Sequence, residues 1–241
     1  MMMTILKHLE QHPGVNPEPF SSVVTSVCDE HIVLDSTAYY PMGGGQPGDR
    51  GNIESDSFTC TVVDVRKKGE VRHIIADSEG TLKPGDNIRC TIDAEWRNQL
   101  SAMHTAQHLV SALANEEWGA DTVGNQIGFD KTRIDLQFEN RDIFDRDSLS
   151  QMVNDAIAKD MEVMMDFRPS AELIDDPLVR INMDRMPPNI DVWRTISIGD
   201  LDVCPCAGTH VLRTSMIPEV EITRVKSKGA GRLRVEYILN N

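Results

Sequence analysis

The chain has 241 residues, 40% hydrophobic and 26% charged, which suits one large globular domain or two small ones. No apolar run approaches the roughly 20 residues a membrane span needs. The first dozen residues lack the cationic start and long apolar stretch of a signal peptide, so the sequence predicts a soluble cytoplasmic protein. A net charge of −14 is awkward for a nucleic-acid enzyme, because phosphate contacts need Lys and Arg, and it directs attention to local charge.

Residues 20–93 read as β-structure. Val23, Val24 and Val27, then Ile32, Val33 and Leu34, flank a polar Asp29-Glu30 turn. Apolar stretches at 58–65 and 71–76 flank Lys67-Lys68-Gly69, a hairpin signal. Lys83-Pro84-Gly85-Asp86 is a turn in which Pro presets φ, and 88–92 is one more short strand. Several short strands with such punctuation predict a small barrel. Cys28, Cys60 and Cys90 lie in these stretches and are expected to be buried thiols. The odd total of five cysteines argues against a disulfide framework.

At Asp93 the period changes. Asp93 is an N-cap candidate, 94–118 contains no Gly or Pro, and Leu100, Met103, Ala106, Leu109, Val110 and Leu113 recur at helical spacing until Gly119. Strands are predicted at 122–129 and 133–138, a helix at 147–160, strands at 162–168 and 192–198, and a closing hairpin of 219–225 with 233–239. The elements do not alternate as βαβ units, so the predicted fold class is α+β. Residues 1–93 form an N-terminal β-barrel domain in this reading, and residues 94–241 form a second, metal-bearing domain.

His104 and His108 stand at i and i+4 of the predicted helix, on one face and about one turn apart. Cys206-Ala207-Gly208-Thr209-His210 offers a thiolate and an imidazole around a glycine that permits tight chain reversal. Together the two motifs are a zinc-type donor set: His104, His108, Cys206 and His210. Cys204 is a spare thiol two residues away and remains an alternative ligand. The His-rich donors, about 100 residues apart in sequence, favour an open catalytic site over a closed structural one. His210 is the candidate to reach the metal through a water and act as a base.

Tyr40-Pro-Met-Gly-Gly-Gly-Gln-Pro-Gly-Asp-Arg-Gly51 is the other unusual segment. Gly43, Gly44 and Gly45 expose bare backbone N–H groups that can approach an anion or a carboxyl-derived oxygen. The segment matches neither a Walker A loop nor a dinucleotide fingerprint.

These segments, with Lys226-Ser-Lys-Gly-Ala-Gly-Arg-Leu-Arg-Val-Glu-Tyr237 at the end, resemble the editing part of alanyl-tRNA synthetase and its free-standing AlaX-type relatives over residues 20–240. The resemblance implies a small β-barrel followed by a zinc-bearing α+β editing domain. It implies hydrolysis of seryl-tRNA(Ala), with glycyl-tRNA(Ala) as a further candidate. His104, His108, Cys206 and His210 match the family's zinc positions. On this reading His210, Gln126 and Gln46 are the catalytic candidates. Gly43, Gly44, Gly45, Asn125 and Thr105 are the substrate-binding candidates. The basic residues Lys226, Lys228, Arg232 and Arg234 are the candidates for tRNA phosphates. An editor of seryl-tRNA(Thr) and a non-catalytic zinc-stabilised RNA-binding module are the rival readings.

Overall fold

The computed structural model describes residues 3–174, 176, 178–179 and 190–240. The chain begins with a short strand β1 (Ile5–Leu6), which pairs in parallel with β4 (Ser36–Thr37). Six strands then close into a barrel: β2 (Phe20–Val27), β3 (His31–Leu34), β5 (Gly51–Ser55), β6 (Phe58–Lys68), β7 (Glu70–Gly80) and β8 (Asn87–Ile92). Their order around the barrel is β2-β3-β7-β6-β5-β8. Closure leaves no open sheet edge. Alternation along β8 shows why these residues form strands here: Ile88, Cys90 and Ile92 point inward and their neighbours outward. Val24, Ile32, Leu34, Ile53, Val62 and Val71 fill the interior.

The β6–β7 hairpin runs further than its apolar pattern predicts. Its tip, Lys67 to Glu70, is polar and outside the core, so hydrophobic periodicity could not mark it. Cys60 and Cys90 are buried thiols, as expected, but Cys28 is exposed. It lies just past β2 in the turn to β3, where its N–H and C=O bond to His31, and a turn residue has no core to enter.

His73 is wholly buried in the barrel, within hydrogen-bond distance of Thr37 Oγ1 (2.9 Å) and of the Ile32 carbonyl (3.1 Å). Burial pushes its imidazole down to about 4. The unfolded chain then takes up a proton near pH 6.5 that the folded chain refuses, so stability falls as pH drops through the window between about 6.5 and 4. We expect a loss of roughly 2 kcal/mol from His73 between pH 8 and pH 5. It is read as the part of the urea-midpoint shift that His73→Gln abolishes.

After the barrel comes α1 (Ala94–Trp118). Asp93 caps its start, accepting from the Trp96 N–H at 3.0 Å, and Gly119 ends it in the left-handed region. Leu100, Met103, Ala106, Leu109 and Val110 are fully buried. They belong to a core shared with a four-stranded antiparallel sheet of β9 (Asp121–Gln126), β10 (Thr132–Gln137), β14 (Glu219–Ser227) and β15 (Arg232–Asn240), in the order β14-β15-β10-β9. Helix α2 (Arg146–Ala158) packs on β14 and α1. A three-stranded antiparallel sheet follows: β11 (Val163–Pro169), β12 (Val192–Ile198) and β13 (Asp202–Pro205), with the short α3 (Ser170–Ile174) after β11. The architecture is α+β, with a closed six-stranded barrel preceding the main helix. No helix among the described residues is long and apolar enough to cross a membrane.

Two devices join the barrel to α1. Arg97 and Asp49 form a fully buried ion pair, and Arg97 also donates to the Ala38 carbonyl at 2.9 Å. The Arg50 guanidinium lies 3.6 Å from the Trp96 ring centre, a cation–π contact. The N-terminal stretch also reaches across: Gly14 donates to the His210 carbonyl at 2.7 Å, and Ser101 Oγ donates to the Gly14 carbonyl at 3.0 Å.

Candidate metal centre

Helix α1 places His104 and His108 on one face, and the loop after β13 brings Cys206 and His210 to them. The donor atoms of all four lie within 4.8 Å of one another. The His210 ring centre is 4.4 Å from that of His104 and 4.7 Å from that of His108. Cys206 Sγ is 3.3 Å from His210 Nε2 and 3.6 Å from His104 Nε2. One ion with bonds of about 2.0–2.3 Å can bridge such a group.

The Nδ1 atoms decide whether the rings suit a metal. His108 Nδ1 is 2.8 Å from Asp202 Oδ2, and His104 Nδ1 is 2.7 Å from Gln46 Oε1. Both partners are acceptors. His210 Nδ1 is 3.1 Å from Thr105 Oγ1, whose proton is given to the Ser101 carbonyl at 2.9 Å, so Thr105 also presents a lone pair. Each neutral ring is therefore driven to the tautomer with its proton on Nδ1, and each Nε2 lone pair is left for a cation. The residues present fit a metal of the zinc type.

The electrostatics agree. Burial pushes the Cys206 thiol up, but the adjacent His104 and His210 outweigh it and hold the group well below its ordinary value, as a thiolate. Burial, aided by His104, pushes His210 well down. Burial also acts to lower His108, but the Asp202 carboxylate overrides it and raises the ring to about 9. A cation must displace that proton, so affinity for metal rises with pH.

Glycine is required at two points of this centre. A Cβ on Gly208 would stand 2.1 Å from His104 Cε1, so only a bare backbone lets the ring reach its place. Gly45 has φ of +87°, and a Cβ there would meet Asn125 Oδ1 at 2.7 Å.

The group opens on a cavity of about 1070 Å³, whose wall includes His104, His108, Cys206, Gln107, Asn125 and the backbone of Gly43 and Gly44.

Residues 15–96 match the family tRNA synthetases class II (A), and residues 193–236 match the threonyl and alanyl tRNA synthetase second additional domain. The chain is 34% identical over 224 residues to the alanyl-tRNA editing protein AlaX-M of Saccharolobus solfataricus, an alignment spanning 90% of this chain and 92% of that one. The chain belongs to the AlaX family of alanyl-tRNA editing proteins. It is also 34% identical over 232 residues to AlaX-M of Methanosarcina barkeri, with 91% and 93% covered. It is 32% identical over 209 residues to the alanine–tRNA ligase of Halorubrum lacusprofundi, covering 86% of this chain but 22% of the ligase.

Within this AlaX-family site the sequence-predicted residues separate into groups. Gly43, Gly44 and Asn125 reach the cavity wall. Asn125 Nδ2 donates to the Gly44 carbonyl at 3.1 Å, which ties the glycine loop to β9. Gln46 and Thr105 are fully buried behind the donors and hold His104 and His210 rather than face the cavity. Gln46 Nε2 also donates to Thr209 Oγ1 at 2.9 Å, so one amide spans both metal motifs. His210 is fully buried and does not line the cavity, behind His104 and His108, which do. Gly45 does not line it either; its carbonyl accepts from the Ile127 N–H at 2.8 Å.

Gln126 stands apart from these residues. Successive strand residues face opposite sides, and Asn125 takes the side of buried Ile134, its partner across the pair. Gln126 is exposed beside Arg133, on the other side of the strand from Asn125. Lys226, Lys228 and Arg232 are exposed on the closing hairpin, whereas Arg234 is held by Asp135 in a two-pronged ion pair at 2.7 and 2.8 Å.

Two residues were missed. Asp202 carries no sequence signal, since its partner His108 is 94 residues away. Gln107 was legible, because it lies three residues after His104 on the face that bears both histidines. It lines the cavity, and its Nε2 donates to Ser111 Oγ at 2.8 Å. Asp202→Asn keeps the shape but weakens the hold on the His108 proton. We expect roughly 10–100-fold weaker metal binding, measured by competition with a chromophoric chelator.

Proposed function

We propose that this AlaX-family chain is a zinc-dependent aminoacyl-tRNA deacylase that hydrolyses seryl-tRNA(Ala), with glycyl-tRNA(Ala) as a second substrate. One observation carries the reading: three Nε2 lone pairs and a thiolate converge at the wall of a cavity large enough for an aminoacylated nucleoside. Zinc held by His104, His108, Cys206 and His210 supplies a Lewis-acidic, orienting charge there.

The chain's own residues do the rest. Asp202, Gln46 and Thr105 fix the three rings and their tautomers. Gln107 and Asn125 present side-chain amides on the cavity wall, and these read the substrate hydroxyl. A site built to hydrogen-bond the serine hydroxyl leaves buried polar groups unpaired when alanine enters, and such a site discriminates by up to ~10⁴-fold. The exposed Gly44 N–H is the loop donor for the developing oxyanion, since the Gly43 N–H is bonded to the Gln46 carbonyl at 3.1 Å. Water adds to the ester carbonyl carbon, and the products are the free amino acid and the terminal ribose hydroxyl. Lys226, Lys228 and Arg232 take phosphates further along the acceptor stem.

The test incubates purified protein with seryl-, glycyl- and alanyl-tRNA(Ala) and with seryl-tRNA(Thr), each with and without a chelator. The reading expects seryl-tRNA(Ala) to be deacylated, alanyl-tRNA(Ala) to be spared, and the chelator to stop the reaction. Faster hydrolysis of seryl-tRNA(Thr) would transfer the chain to the threonyl rival, and deacylation indifferent to chelation would remove the metal from the chemistry.

A further inference from the structure

We propose that Lys67, at the mouth of the metal-bearing cavity, is the contact for the phosphate nearest the ester, with Lys68 at the hairpin tip meeting the next one along a single-stranded RNA 3′ end. This rests on the deacylase reading and extends it to how the end of the substrate is held. It places the first phosphate contact on the barrel, away from the closing hairpin.

The hairpin of β6 and β7 stands against the cavity. Val65 accepts from the Met42 N–H at 2.8 Å, which fixes the strand beside the glycine-rich segment. Lys67 follows two residues later, on the same face of the strand as Val65. It is the one Lys or Arg among the described residues lining the cavity; the one carboxylate there is Asp121, on β9.

The neighbouring cations are already engaged. Arg66 pairs with Asp64 at 2.6 Å and Arg72 with Glu70 at 3.0 Å. Among the described residues no ion pair engages Lys67 or Lys68, and both are exposed. At Gly69 the turn meets open space, with no atom of the described residues against a Cβ placed there. In a chain of net charge −14, two unpaired lysines at a cavity mouth are a local attraction for a polyanion.

The closing hairpin stands back from the cavity. Of its sheet, β9 supplies cavity wall, whereas β15 and β14 lie two and three strands away in the order β14-β15-β10-β9. At about 4.8 Å per strand that is roughly 10 and 14 Å, and no residue of β14 or β15 lines the cavity. The cavity, at about 1070 Å³, holds more than an amino acid. A terminal nucleoside that follows its ester inside leaves its 5′ phosphate at the mouth, where Lys67 stands.

The experiment compares wild type, Lys67→Ala, Lys67→Glu and Lys67→Arg in two assays. The first is equilibrium binding of deacylated tRNA across a salt series; the second is steady-state hydrolysis of seryl-tRNA(Ala). Melting curves confirm that each variant is folded. Lys67→Glu is expected to weaken binding about tenfold, Lys67→Ala about threefold, with the log–log salt slope reduced by roughly one and the hydrolytic loss carried by KM. Lys67→Arg is expected to restore both. Wild-type affinity and salt slope in Lys67→Glu would overturn the assignment. A wild type that binds tRNA but releases no serine would instead strike the deacylase reading, and the binding assay keeps the two failures apart.

Discussion

Cys206→Ala is expected to strip the metal and to lower deacylation of mischarged tRNA by at least about 100-fold, while the fold survives. Cys206 is the one anionic donor in the group, held as a thiolate by His104 and His210. Without it a divalent cation keeps three neutral imidazoles and no neutralising charge. The fold survives because the packing of α1 does not run through the metal. Leu100, Met103, Ala106 and Leu109 are buried against β10 and its neighbours, and Tyr237 Oη donates to the Met103 carbonyl at 2.6 Å. The measurements are metal content by elemental analysis, circular dichroism and the rate of serine release. If the variant or the chelated protein unfolds, the metal is structural, and the chain is closer to a zinc-stabilised RNA-binding module.

Breaking the Arg97–Asp49 pair from one side is expected to cost about 3–5 kcal/mol, because the remaining charge stays buried without its partner. Both side chains are almost wholly excluded from water. Asp49 also accepts from the Tyr40 N–H, so the carboxylate organises the segment that carries Gly43 to Gln46. Arg97→Ala should therefore lower the urea midpoint sharply and, by loosening Gln46 behind His104, weaken metal binding as well. A combined Arg97→Met and Asp49→Leu replacement leaves no orphaned charge and should recover much of the stability, though not the loop geometry. A loss below about 1 kcal/mol in Arg97→Ala would show that this pair does not couple barrel to helix.

Much of the fold was legible where one face of an element is apolar. Helix α1 matches its predicted limits because Asp93 and Gly119 punctuate a strong 3.6-residue period. The barrel strands were readable for the same reason, except β5, where Ile53 is the one large apolar residue in five, and the β6–β7 tip, where lysines replace the apolar face. The converging His and Cys donors were also readable, since each pair shares a local spacing. The support behind them was not. Gln46 looked like a group aimed into a pocket, yet its partners lie 58 and 163 residues away and turn it into a brace for His104 and Thr209. Asp202 opens a strand two residues after Asp200, and nothing in the sequence separates it from a surface aspartate. Asn125 and Gln126 seemed equivalent because sequence does not reveal which side of β9 meets α1; the pairing of Asn125 with Ile134 does.

Four side chains closing round one cation are the centre of the proposed chemistry. X-ray absorption at the zinc edge, on protein purified without added metal and shown by elemental analysis to carry about one ion per chain, tests this directly. Three nitrogen neighbours at about 2.0–2.1 Å and one sulfur at about 2.3 Å are predicted. A sulfur-free shell, or protein that retains no metal when prepared without chelators, would contradict it.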